Sequence, residues 1–220
     1  MNNIAILIPC LNEEQTIKSV IDGFKPYNVN IYVYDNNSTD NTSQIAKECG
    51  VNVGFTSQKG KGNVVRQMFN EIDADIYVLI DGDNTYFADD FPKMLDKYNQ
   101  TNCDMLVGDR LSSTYFIENK KILHNIGNKL VKWLINHKYK TNISDIMSGY
   151  RILSKKFVQN IDIQSNEFEI ETEMTIFALK NNYHIESIPI QYKDRPNGSI
   201  SKINTIKDGF KIIKYIIQKG

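Results

Sequence analysis

The chain has 220 residues, with 26 basic side chains against 26 acidic and 41% hydrophobic residues. That is one domain of ordinary size with a substantial core, and the balanced charge gives no global field to attract nucleic acid. No apolar run approaches the roughly 20 residues of a spanning helix, so the chain reads as soluble or at most surface-bound.

In chain order, "MNNIAILIPC" has no basic leader and reads as a first strand. "IAILIP", "VNIYVYD", "VNVGFT", "DIYVLID" and "CDMLVGD" are apolar runs rich in Val, Ile and Tyr, and predict buried strands. Between them lie helical patterns from Glu13 to Lys25, Thr42 to Cys49, Asn63 to Ile72 and Asp90 to Tyr98. Asn12 suits the N-cap of the first, with Gln15 as its capping-box partner, and Gly50 suits the end of the second. Strand and helix in alternation predict an α/β fold, a Rossmann-like, mostly parallel sheet with helices on both faces. The second half carries a long helical stretch, "ENKKILHNIGNKLVKWLINHKYK", then "SDIMSGYR" and a short helix from Ser154. The helix "EIETEMTIFALKNN", the strand "HIESIPIQY", the loop "KDRPNGSISK" and the amphipathic "INTIKDGFKIIKYIIQK" follow. The expected organisation is one domain: a nucleotide-sugar half over 1–112, an acceptor-side half over 113–202, and a C-terminal helix over 203–220. Cys10, Cys49 and Cys103 are odd in number and lack metal-site spacing, which predicts free thiols.

In parallel sheets ligands bind beyond the carboxyl ends of the strands. Asp35, Lys61, Asp81, Asp83 and Arg110 are all expected at that edge. Asp81-Gly82-Asp83 alone reads as a solvated turn sooner than as a cation site. Beside the loop "SQKGKGN", which opens a helix and carries Gly60, Lys61 and Gly62, the set suits a nucleotide diphosphate with a metal.

Taken together, "IPCLNEE", "YDNNSTD", "DGD", "GDR", "SDIMSGYR" and "RPNGSISK" resemble family 2 glycosyltransferases of the GT-A fold. The branch is the one similar to dolichyl-phosphate mannosyltransferase and bacterial polyprenyl-phosphate glycosyltransferases. The resemblance implies that Pro9, Asn12, Glu13, Asp35 and Asn37 surround the base and ribose. It implies that Asp81 and Asp83 hold Mg²⁺ or Mn²⁺, with Lys61, Gly62, Gly82 and Arg110 on the nucleotide sugar. Asp145, Ser148, Gly149 and Arg151 become candidates near the sugar or lipid phosphate, with Glu169 and Glu171 also on the acceptor side. Arg195, Ser201 and Lys202 become contacts to a diphosphate or acceptor phosphate, with Asp83, Asp145, Arg151, Arg195 and Lys202 as the catalytic set.

The implied activity is inverting transfer from a nucleotide-diphospho-sugar, UDP preferred over GDP, to a polyprenyl phosphate at the cytoplasmic membrane face. An ionised phosphate acceptor needs no strong base; a saccharide hydroxyl does, from among Asp109, Asp145, Glu169 and Glu171. That saccharide transfer, a non-catalytic nucleotide-sugar binder and a nucleotidyltransferase stand as alternatives. Glu169 and Glu171 lie two apart, so one faces the cleft and the other solvent or a cap. His124, His137 and His184 show no ligand spacing, and Trp133 reads as core or interface. From Lys193 to Gly220 there are seven basic and two acidic residues, and Ile203, Ile206, Phe210, Ile213 and Ile217 recur at helical spacing. Docking on the domain and lying on an anionic membrane both produce that pattern.

Overall fold

The computed structural model describes residues 2–112, 122–196, 198–199, 201–202 and 204–219. Seven strands form a single sheet: β1 (Ile4–Cys10), β2 (Asn30–Asp35), β3 (Asn52–Phe55), β4 (Ile76–Leu79), β5 (Met105–Asp109), β6 (Arg151–Ser154) and β7 (Ile185–Pro189). Their order is β3-β2-β1-β4-β6-β5-β7. β1 pairs in parallel with β2 and β4, β2 with β3, and β5 with β7, while β6 runs antiparallel between β4 and β5. β6 is the strand absent from the sequence reading. Its four residues offer no alternation, and Ser154 turns at once into a helix whose Phe157 amide it accepts at 3.0 Å.

The helices are α1 (Ile17–Phe24), α2 (Thr42–Glu48), α3 (Lys61–Glu71), α4 (Phe91–Thr101), α5 (Ile122–Tyr139), α6 (Lys155–Asn160), α7 (Ile170–Lys180) and α8 (Thr205–Lys219). The period-2 alternation of β1 divides them between two faces. Ile6 and Ile8 pack with Ile17, Ile21, Phe24 and Met94 of α1 and α4; Ala5 and Leu7 pack with Val64, Met68, Phe157 and Met174 of α3, α6 and α7. A third cluster ties α5 to α8 through Val131, Ile135, Ile212 and Ile216. The stripe marked in the sequence is therefore not the docked one: Ile206, Phe210 and Ile217 are exposed, and α8 buries Ile212 and Ile216 instead. Residues 118–121 of the long helical stretch, and Ile203, lie outside the described residues.

One local expectation changes. Asn12 does not cap α1; it has φ +52°, and its Oδ1 accepts the Thr39 amide at 2.7 Å, while the helix starts only at Ile17. Gly50 does take the left-handed conformation expected of it, at φ +75°. All three cysteines are free thiols. Among the described residues no helix is long and apolar enough to cross a membrane.

Candidate active site

The parallel register brings Cys10 beside Asp35 and Leu7 beside Leu79, so the loops after β1, β2 and β4 open on one edge. A cleft of about 750 Å³ lies there, within the usual range for ligand sites. Asp81 and Asp83 line it, facing cations from α3 and from the loop after residue 192. Lys61, at the first turn of α3, bridges the Asp81 and Glu171 carboxylates. Arg195 bridges Asp83 Oδ2 at 2.5 Å and Glu13 Oε1 at 3.2 Å, and Lys202 reaches Glu13 Oε1 at 2.7 Å. Ser201 also lines the cleft.

These pairings set the ionisation of the site. Burial works against the charge on Lys61, but Asp81 and Glu171 outweigh it and hold the ammonium well above its usual range. Burial also opposes ionisation of Asp81, and Lys61 reverses that, keeping its carboxyl below the ordinary value. Asp83 goes the other way: burial, then the charge of Asp81, push its carboxyl up against the pull of Arg195. Two carboxylates this close repel each other, and that repulsion adds to burial in raising Asp83.

The aspartates fit a divalent cation. Gly149 backs Asp81, and a Cβ there would fall on Asp81 Oδ2, so the carboxylate lies flush against bare backbone. Asp83 Oδ1 is held by the Thr85 amide at 3.1 Å and hydroxyl at 2.7 Å. Among the described residues no cluster of three or more His, Cys, Asp or Glu is set to hold a metal. A two-carboxylate site suits an ion such as Mg²⁺ that completes its coordination with substrate phosphates and water.

Several predicted residues lie elsewhere. Arg151 is fully buried and points into the core, with Nε to Ser148 O at 2.9 Å, Nη1 to Thr175 Oγ1 at 3.0 Å and Nη2 to Ile146 O at 2.5 Å. Burial brings its pKa down to about 10. It ties the 146–148 loop to α7 and does not reach the cleft. Asp145 is fully buried as well, and its carboxylate takes Arg110 Nε at 2.7 Å and Nη2 at 3.0 Å. It therefore orients Arg110, which does line the cleft, 5.6 Å above the Tyr192 ring. Ser148 is fully buried. Gly62 makes room for the protein and not for a phosphate: a Cβ there would fall on Ser165 O, and its amide donates to Glu167 O at 3.2 Å.

Asn12 and Asn37 stand outside the cleft, Asn37 donating to Thr56 O at 3.0 Å and Ser57 O at 2.9 Å. Pro9, Glu13 and Gly82 line it. Asp35 sits behind this rim, buried, its Oδ1 without a hydrogen-bond partner. Glu171 faces the cleft while Glu169 occupies the N-cap of α7, as the spacing suggested. The sequence reading missed Asn36, which accepts the Gly60 amide at 2.6 Å and donates to Gln58 O at 2.7 Å. It also missed Thr85, which the Asp-x-Thr spacing could have revealed, and Tyr86, whose hydroxyl accepts the Gly149 amide at 2.8 Å. Tyr86 had no local signal, because its partner is 63 residues away.

Residues 5–162 match the family model described as "Glycosyl transferase family 2". The chain belongs to that family. Glycosyltransferase AglJ of Haloferax volcanii is 33% identical over 208 residues, 94% of this chain and 68% of the relative. A second relative is the UDP-N-acetylglucosamine–dolichyl-phosphate N-acetylglucosaminyltransferase of Methanococcus voltae, 26% identical over 95% of this chain and 92% of its own length. Among solved structures, glucosyl-3-phosphoglycerate synthase from Mycobacterium tuberculosis, in complex with Mn²⁺, UDP and glucosyl-3-phosphoglycerate, superposes with a TM-score of 0.75. It is 18% identical, over 98% of this chain and 77% of that one, a likeness that shows the family 2 enzyme to have the GT-A fold.

Proposed function

We propose that this glycosyltransferase is metal-dependent and inverting, and that it moves a sugar from a nucleotide-diphospho-sugar, UDP-linked, to a polyprenyl phosphate. The observation that carries the donor half is the convergence of Asp81 and Asp83 with Lys61, Arg195 and Lys202 in one cleft. Asp81 and Asp83 would hold Mg²⁺ or Mn²⁺. When bound, that ion supplies positive charge to the diphosphate. Arg195 suits a two-pronged hold on phosphate oxygens and Lys202 a point charge, so both would stabilise the leaving group as its charge grows. The orphan Oδ1 of Asp35 offers an acceptor to a base N–H near the rim.

The state of the candidate bases supports the phosphate acceptor. Asp145 is committed to Arg110, Glu171 to Lys61, and Asp109 accepts the Ser112 amide and hydroxyl. Glu169 does not line the cleft. An ionised phosphate oxygen has no proton to lose; it attacks the anomeric carbon from the side opposite the diphosphate, whose C–O bond breaks with the electron pair. The named activity of the M. voltae relative, a dolichyl-phosphate transfer from a UDP-sugar, supports the same acceptor class. Exposed Ile126, Leu130 and Trp133 on α5, with Ile206, Phe210 and Ile217 on α8, support a place at the cytoplasmic membrane surface.

Calorimetric titration with UDP and GDP, each with and without Mn²⁺, tests the donor. Metal-dependent binding of UDP, lost in Asp83→Ala, is the expected result; binding of neither diphosphate under any condition would sink the reading. For the acceptor, transfer to a polyprenyl phosphate should survive Asp109→Asn and Glu169→Gln within about fivefold, well short of the 10²–10⁴-fold that a general base contributes.

A further inference from the structure

Of the eleven described glycines, eight would bring an added Cβ within 3.0 Å of another atom, and Gly50 has φ +75°. Gly127 and Gly209 share neither reason. Both lie inside helices, α5 and α8, and among the described residues a Cβ on either would meet nothing within 4 Å. Glycine in a helix interior is less stable than alanine, so packing and backbone both favour a larger residue here. Both glycines line the same cleft as Asp81 and Asp83. Val131, Met147, Ile212 and Ile213 line it with them, as do the polar Asn128, Asn204, Thr205, Lys207 and Asp208. Ile126 and Leu130 beside Gly127, and Ile206 and Phe210 beside Gly209, carry the apolar character out to the surface.

We propose that Gly127 and Gly209 keep open a passage for the apolar chain of the acceptor, and so select a long-chain isoprenoid phosphate. The proposal rests on the acceptor reading above and deepens it. The phosphate lies at the cations of the cleft, and the chain leaves between α5 and α8. A saccharide has no use for exposed hydrocarbon, whereas Ile126, Leu130, Ile206 and Phe210 carry the passage outward as an apolar surface. A second copy of this chain is the poorer occupant, because Lys129, Lys132, Lys207 and Lys214 of the same two helices would meet their own counterparts.

The test compares transfer to a long-chain polyprenyl phosphate and to citronellyl phosphate in the parent, Gly127→Leu and Gly209→Leu. Each leucine should lower the long-to-short ratio of kcat/KM by about tenfold or more, through KM for the long chain. Leucine is a good helix former, so neither variant should melt below the parent. If one does, Gly127→Ala or Gly209→Ala replaces it, with a smaller fall in the same ratio expected. A ratio unchanged within about twofold overturns the passage. A parent that glycosylates a saccharide and neither polyprenyl phosphate overturns the acceptor reading itself, a result visible before any variant is made.

Discussion

The floor of the cleft, at the ends of β1 and β4, and its wing, between α5 and α8, solve different problems. On the floor Glu13, Asp81, Asp83 and Glu171 each face a cation at ion-pair distance. On the wing the described residues leave open space beside two glycines and expose large apolar side chains. A floor of matched charges can bind a charged ligand only by exchange: arriving phosphates take over the lysines and arginine, and the carboxylates need a new partner. Under the proposed function, that would make an incoming anion and an incoming cation mutually dependent. The apolar side chains of the wing, Val131, Met147, Ile212 and Ile213, would gain by burying surface against hydrocarbon. The specificity proposed for charge and that proposed for hydrocarbon thereby fall on separate elements.

Three measurements would break or sharpen this contrast. The largest effect belongs to the floor: Arg195→Ala and Lys202→Ala should each lower kcat by about 10²–10³-fold, the usual loss when one preorganised charge-stabilising donor is removed. Steady-state kinetics at saturating donor would show it; losses confined to KM would mean that the two cations only bind. Next comes the support beneath the floor. Arg151→Met strands the buried carbonyls of Ile146 and Ser148 and should cost about 3 kcal/mol, or roughly 6–12 °C in Tm for a chain of this size. Catalytic groups lie out of its reach, so the folded fraction should keep its kcat within about tenfold; a larger fall would make Arg151 more than a support. The smallest effect compares one substitution in both regions. Gly149→Ala drives a methyl into Asp81 and should reduce activity about tenfold, whereas Gly209→Ala should stabilise the fold by ~1 kcal/mol. Equal responses would erase the distinction between floor and wing.

Most of the fold was legible because its strands are short apolar runs bounded by turn residues, from Ile4–Cys10 to Met105–Asp109. What escaped was whatever depends on distant partners. β6 has only four residues and owes its place to neighbours on both sides. Arg151, read as a phosphate-facing arginine, turned inward because the loop before it and Thr175 of α7 supply three acceptors. Asp145 looked like an available carboxylate until Arg110, 35 residues earlier, was seen to occupy it. The sequence shows which charges are present but not which of them neutralise each other, and on this floor that pairing decides which groups remain for chemistry.

The position of β6 has a consequence for the order in which the chain can assemble. β5 has two sheet neighbours, β6 and β7, and both are made of residues after 150. During synthesis β1 to β4 can zip together as they emerge, but β5 must wait through some forty residues before either edge is paired. A fragment ending at residue 112 would carry Met105–Asp109 as a strand with no ladder, an apolar edge open to any other chain. The part of the chain up to residue 112 is thus incomplete as a folding unit, because its last strand is paired only by strands that follow residue 150.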